Sequence, residues 1–398
     1  MYNTVRLAEM LDRYQVDALV ATSRENIRYL AGFDPVIKTL RPYSGEAYAL
    51  VHRSAISKVH IVHARGEADQ LLDTHHPIGL TKLYGTFYRE RSQSGRYSEE
   101  DEQLLAMMAS ESSQSGFDAL IDLINALGLS ERSIAIDEDG SGAELPVRLK
   151  ETFPQISVKP GADAFRKVRA VKTPQEVGLL ERAAVVTEGA IYEAARQAEL
   201  GVSESHLARI FEIALVQGGG RPSLTMMKIG PYAVGGQRAQ RADVVLGSQD
   251  ILWFDCNALF QGYTADIARV FCHSATTRCK DIFAALYTGQ QTAIAAIRPG
   301  MTGGDIFHLT MDAVHKAGFR DYRRHHVGHG IGLEPYERPI LAPGNEDVVE
   351  EGMVLSIETP YYEFGLGALH VEDPILIGEN YNTRLTQTSG NLTLLEAI

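Results

Sequence analysis

A chain of 398 residues with 44% hydrophobic side chains has apolar material for two cores of ordinary size rather than one. Its formal net charge of -13 argues against a nucleic-acid or anionic-membrane surface, both of which need a basic face, and leaves small solutes or peptides as partners. No segment reads as a membrane helix or a signal peptide, and three sparse cysteines without zinc spacing fit a reducing compartment, so the expected location is the cytoplasm.

The chain opens in α/β texture. A helix is expected over Tyr2 to Tyr14, then an apolar strand in DALVAT, a second helical run in ENIRYLAGF, and strands near AYALV and KVHIVHA. Between Tyr88 and Gly116 the composition turns polar and serine-rich, which reads as a mobile surface insertion. In GADAFRKVRAVKTPQE, Thr173, Pro174 and Glu176 fall at N-cap, N1 and N3 of a long helix, a capping box with proline where it is tolerated. The domains are therefore placed at 1–160 and 161–398.

The second domain carries an internal repeat at an offset of 99 residues: Gly201-Val202-Ser203 matches Gly300-Met301-Thr302, Leu207 matches Ile306, and Gly219 matches Gly318. Each copy reads as a long helix, a glycine turn with a Ser or Thr cap, a second helix and then strands. The strands carry acids. In ILWFDCNALFQGYTADIARVF, a two-residue turn at Phe260-Gln261 sets Asp255 opposite Asp266. In MVLSIETPYYEFGLGALHVEDPILI, a hairpin centred on Gly365 sets Glu358 opposite Glu372. Facing like charges among apolar neighbours destabilise a sheet unless cations neutralise them or one acid of each pair stays protonated. Four carboxylates with His329, which sits between Gly328 and Gly330, make a good set for two divalent ions.

These residues resemble the pita-bread metallopeptidases: prolidase (Xaa-Pro dipeptidase), aminopeptidase P, methionine aminopeptidase and creatinase. The resemblance rests on GYTADIARVF, GHGIGL and IETP followed by HVEDPILI, and ENIRYLAGF is similar to the N-terminal domain of the prolidase and creatinase branch. It implies an α+β fold, with a small N-terminal α/β domain before a pseudo-twofold pita-bread domain. It also implies a dinuclear site, with Asp266 and Glu372 bridging, Asp255 on one ion, and His329 with Glu358 on the other. Manganese is the expected metal, with zinc, cobalt or iron as alternatives, and a homodimer is the expected assembly. By the same resemblance Glu358 is the acid/base and His325 an outer histidine at the substrate.

Three positions depart from the family. Tyr336 stands where a histidine is expected, Arg238 falls at another histidine position, and His370 at an arginine position. Either Arg238 supplies a cation for a substrate carboxylate while His370 works around the metals, or the ungapped alignment is displaced at Arg238. The activities left open are a dipeptidase acting on short Xaa-Pro peptides, a creatinase-like C–N hydrolase or lyase on a small zwitterion, and a non-catalytic binding module.

Overall fold

The computed structural model describes residues 2–74 and 76–398. Contacts divide it into two compact units, Met1–Arg169 and Ala170–Ile398.

In the first unit, helix Thr4–Tyr14 is capped by Asn3, whose side chain accepts from the Arg6 amide. The central strand, Ala18–Ala21, is buried throughout; it pairs antiparallel with Tyr48–His52 and parallel with Ser133–Ile136 in a mixed sheet of seven strands among the described residues. ENIRYLAGF folds as helix Arg24–Ala31, which Gly32 ends in the left-handed region at φ 87°. The serine-rich stretch differs from its expected loop. It holds helix Glu99–Ala109, opened by a Ser98–Asp101 capping box, with none of its residues buried. An exposed helix without an apolar stripe leaves no periodic trace in sequence, so only the cap was there to be read.

The division falls nine residues beyond the boundary read at 160 (169 minus 160) because helix Ala162–Ala170 is anchored in the first unit. The Glu138 carboxylate accepts from the Gly161 and Ala162 amides at 2.9 Å each, and Arg169 Nη1 donates to Asn26 Oδ1 at 2.7 Å.

The second unit opens with α1 (Pro174–Arg196). The Glu176 amide donates to the Thr173 hydroxyl and the Thr173 amide to the Glu176 carboxylate, the reciprocal pair expected from sequence. There follow α2 (Glu204–Gln217), β1 (Arg221–Ile229), β2 (Ile251–Phe260) and β3 (Tyr263–Cys272). The second half supplies α3 (Thr277–Ala296), α4 (Gly303–Lys316), β4 (Gly328–Gly330), β5 (Glu337–Ile340), β6 (Val354–Glu358) and β7 (Glu372–Leu376). These strands run β5-β4-β6-β7-β3-β2-β1 across one sheet.

The repeat is visible in the backbone. Ser203 and Thr302 cap α2 and α4, and each forms an isolated antiparallel bridge with a later residue, Val245 and Val348. Gly201 and Gly300, at φ 86° and 96°, donate to the carbonyls of Leu246 and Val349. Each half thus folds back on itself in the same way, and β7 and β3 join the halves at the middle of the sheet.

The three cysteines are free and buried, and no helix among the described residues is long and apolar enough to cross a membrane.

Candidate metal centre

Strand register brings the acids together. Glu358 in β6 faces Glu372 in β7, as expected from the hairpin about Gly365. Glu372 in turn faces Ala268 in β3, and Ala268 faces Asp255 in β2. One row across four strands therefore reads Glu358, Glu372, Ala268, Asp255, with a bare methyl group at its third place.

Asp266 does not face Asp255, contrary to the sequence reading. The hairpin turn is Gln261-Gly262, both at positive φ, so Asp266 faces Asn257 and Asp255 faces Ala268. Moving a turn by one residue changes every pairing by two, and a shift of two keeps each side chain on its face. The carboxylates still converge, as diagonal rather than direct neighbours.

His329 enters from β4, where it faces Ser356, two residues before Glu358. The flanking glycines are sterically required: a Cβ on Gly328 would lie 2.1 Å from the Ser356 carbonyl oxygen, and one on Gly330 would lie 2.3 Å from that of Arg338. His329 Nε2 comes to 3.9 Å from Asp266 Oδ2 and 3.8 Å from Glu372 Oε1. Its Nδ1 lies 3.0 Å from the Gly330 carbonyl, which fixes the proton there and leaves the Nε2 lone pair facing the acids.

Neighbours hold two of the carboxylates in place. Asn257 Nδ2 donates to Asp266 Oδ2, and Ser356 Oγ to Glu372 Oε1, both at 2.7 Å. Behind the row, the fully buried Arg269 donates to the backbone oxygens of Ala268 and Glu372 at 2.8 Å and to Glu188 and Asp373 at 2.7 and 2.6 Å. An arginine inside a strand buried along its whole length needs such partners, and that was the signal available in IARVF.

The outer residues sort differently from their expected places. His325 is exposed; the adjacent His326 is the one that is buried, with Nε2 2.7 Å from Glu358 Oε1. Consecutive residues in extended chain point to opposite sides, so counting from His329 to the wrong one of two histidines sends the imidazole outward. His370 is fully buried among three acids, with Nδ1 3.6 Å from Asp255 and Nε2 3.4 Å from both Glu358 and Glu372. The Trp253 indole N–H points at His370 Nδ1 from 3.4 Å, which leaves the proton on Nε2 for the carboxylates. Tyr336 is half-exposed and stacks on the His329 ring with centroids 3.7 Å apart. Arg238 is exposed and lines a cavity of about 510 Å³ with Trp253, Met226 and Tyr362.

Donor geometry fits divalent cations. Ligand atoms of Asp255, His370 and Glu372 lie within 4.8 Å of one another, as do those of Asp266, His329 and Glu372, and Glu372 is common to both groups. His329 Nε2 and Asp266 Oδ1 are buried without a hydrogen-bond partner, a cost that an ion would remove. Burial raises Asp255, Asp266 and Glu372 above the usual carboxylate range, and the charges of the neighbouring acids add to it. Burial would raise Glu358 too, but the neighbouring imidazoles of His326 and His370 outweigh it and hold this group below that range. Burial lowers His329, keeping it neutral as a ligand must be.

A stability test follows from these shifts. An acid whose folded pKa is raised contributes stability at low pH that is lost as pH climbs through the folded value, which burial puts at about 8 for Asp255. His329, being lowered, changes the balance only below its ordinary value of 6.5 and is neutral in both states above it. The thermal midpoint of chelator-treated protein should therefore fall between about pH 6.5, where His329 stops contributing, and about pH 8, and saturating manganese should flatten the slope. A metal-free midpoint that rises over that interval would contradict the clustering of these acids.

Comparison with known proteins agrees with this geometry. Residues 178–379 match metallopeptidase family M24, and residues 5–171 match the creatinase/prolidase N-terminal domain. The chain is 30% identical to the Xaa-Pro dipeptidase of Pyrococcus furiosus over 58% of its own length and 67% of that protein. It is 31% identical to the peptidase YqhT of Bacillus subtilis over 59% of its length and 67% of that protein. The fold is that of the Xaa-Pro dipeptidase from Bacillus anthracis, at a TM-score of 0.77 and 21% identity, with 98% of each chain covered. It is also that of the N-terminal domain of the FACT complex subunit SPT16 from chickpea, at a TM-score of 0.67 and 16% identity, with 97% of this chain and 96% of that one covered. Architecture of this kind does not by itself decide chemistry. A family match spanning half the chain, carried on a buried set of four acids and a neutral histidine, does: the chain belongs to metallopeptidase family M24.

Proposed function

We propose that the protein is a dinuclear metal-dependent hydrolase of short peptides, acting as an Xaa-Pro dipeptidase, with manganese as its native metal, a homodimeric assembly and a cytoplasmic location. The observation that carries this reading is the donor set itself: Asp255, Asp266, His329, Glu358 and Glu372 share one face of the sheet, buried and mutually repulsive without cations. In this reading Asp266 and Glu372 would be shared between the ions, Asp255 would serve one, and His329 with Glu358 would serve the other. Two divalent ions bound there supply Lewis acidity and lower the pKa of water from 15.7 to about 7.

The protein's own groups do the rest. Glu358, kept ionised by His326 and His370, takes a proton from the attacking water and returns it to the leaving amine. Asn257 and Ser356 fix the orientation of the two bridging candidates, so the ligands need little rearrangement. Tyr336, stacked on His329, covers that imidazole and restricts solvent there.

His370 supports a second reading, a C–N hydrolase or lyase on a small zwitterion. Here a buried imidazole stands among the acids and gives the pocket a further proton donor. A substrate panel separates the two: Ala-Pro, Ala-Pro-Ala, Ala-Ala and creatine, each with protein loaded with manganese, zinc or cobalt. Ala-Pro should be hydrolysed fastest, with manganese most effective. Inert peptides alongside turnover of creatine would replace the first reading with the second.

A further inference from the structure

Lys172 is buried near the start of the second unit, with Nζ 2.8 Å from Glu337 Oε2; the two side chains are 1% and 4% exposed. An amine and a carboxylate taken out of water together seldom stabilise a fold more than two apolar side chains of similar size would, so stability alone does not account for the pair. The other acid beside Lys172, Glu176, is already engaged by the Thr173 amide and the Tyr263 hydroxyl.

What the pair joins is specific. The Lys172 amide donates to the Gly352 carbonyl at 2.9 Å and Val171 bridges Met353, which fastens this backbone immediately before β6. The Lys172 side chain reaches Glu337, the first residue of β5. Strands β5 and β6 flank β4, which carries His329, so one residue ties together the two neighbours of that strand. Glu337 in turn pins the bend that precedes it. Its Oε1 accepts from the Glu334 amide at 3.4 Å, and a Cβ on Gly332 would lie 2.6 Å from Oε2, so the chain closes directly on the carboxylate. From β3, the Thr264 amide fastens the same bend by donating to the Gly332 carbonyl at 2.8 Å.

Tyr336 is the last residue of that bend. Neighbours in extended chain face opposite sides, so a Glu337 side chain held toward Lys172 turns Tyr336 the other way, onto the His329 ring with centroids 3.7 Å apart. His329 is fully buried and Tyr336 half-exposed, so the phenol ring stands between the imidazole and solvent.

We propose that Lys172 is a positioning residue of the metal centre: by holding Glu337 it keeps Tyr336 over His329, and so slows exchange of the ion at His329 with solvent. This rests on the dinuclear reading above and not on the identity of the substrate. Lys172 supplies neither a ligand nor a proton; it acts through Glu337 and Tyr336.

The test is the rate at which manganese-loaded protein loses its ions to excess EDTA, read as metal remaining after gel filtration, in wild type, K172M, K172M/E337L, Y336A and K172M/E337L/Y336A. K172M leaves the Glu337 carboxylate buried without its cation and should lower the thermal midpoint, whereas K172M/E337L replaces the pair by apolar side chains of similar size and should restore it. Ion loss from the double variant should nonetheless be about 10- to 100-fold faster than from wild type, the range that follows removal of an outer partner of a metal ligand. Y336A should accelerate loss by a similar factor, and the triple variant should be no faster than Y336A, because both changes act through one ring. A double variant that holds manganese as long as wild type, or a triple variant whose acceleration is the product of the other two, would overturn the proposal and leave Lys172 a role in folding alone. Wild type that takes up no manganese would overturn both the proposal and the dinuclear reading. Slow loss from wild type and fast loss from the variants, with Ala-Pro and Ala-Pro-Ala uncleaved, would leave the clamp standing and remove only the peptidase reading.

Discussion

Glu372→Gln should release both ions and reduce peptide hydrolysis by roughly 10³-fold or more, the scale of losing a group that stabilises developing charge. Glu372 occupies a singular place. It faces Glu358 across β6 and β7, approaches His329 at 3.8 Å and His370 at 3.4 Å, and belongs to both groups of converging ligand atoms. The amide keeps the shape and can still accept from Ser356, so folding should persist while the bridging charge is lost. Metal analysis after dialysis should find less than one ion per chain, and differential scanning should show that manganese no longer raises the midpoint. Full metal content in this variant would remove Glu372 from the ligand set.

The other large effect is on stability. Arg269→Met should destabilise the second unit by about 3–5 kcal/mol, because it strands the carboxylates of Glu188 and Asp373 in the interior without their cation. For a unit of this size that corresponds to a midpoint lowered by about 10 °C. Metal binding should also weaken, since Arg269 holds the backbone carbonyls of Ala268 and Glu372 at the centre of the acidic row. A midpoint within about 2 °C of wild type, measured by calorimetry at pH 7 without added metal, would show that water reaches the network and compensates the charges.

Much of this centre was legible because its rules are local. The period of two along a strand puts Asp255, Asp266, Glu358 and Glu372 on one face even where the turn was misplaced, since the error moved partners in steps of two. Gly328 and Gly330 announced a close approach that the register explains. What stayed hidden depends on contacts distant in sequence or on one-residue phase. His326 rather than His325 reaches Glu358 because the loop before β4 happens to present that residue inward. Glu188 meets Arg269 from α1, a partnership across eighty-one positions that no pattern within the strand encodes. Helix Glu99–Ala109 buries nothing and so left no stripe.

The bare methyl at Ala268 has a consequence for how this chain can change. Every other place in its row carries an acid, and Ala268 sets only a methyl group between Glu372 and Asp255. The side chain at position 268 therefore sets the space left between Glu372 and Asp255. A serine there would add an oxygen beside the two acids, and a valine would add two carbons. A larger residue at this one position would crowd the row with every ligand still present, so an intact set of acids in a relative is not sufficient grounds for assigning it activity.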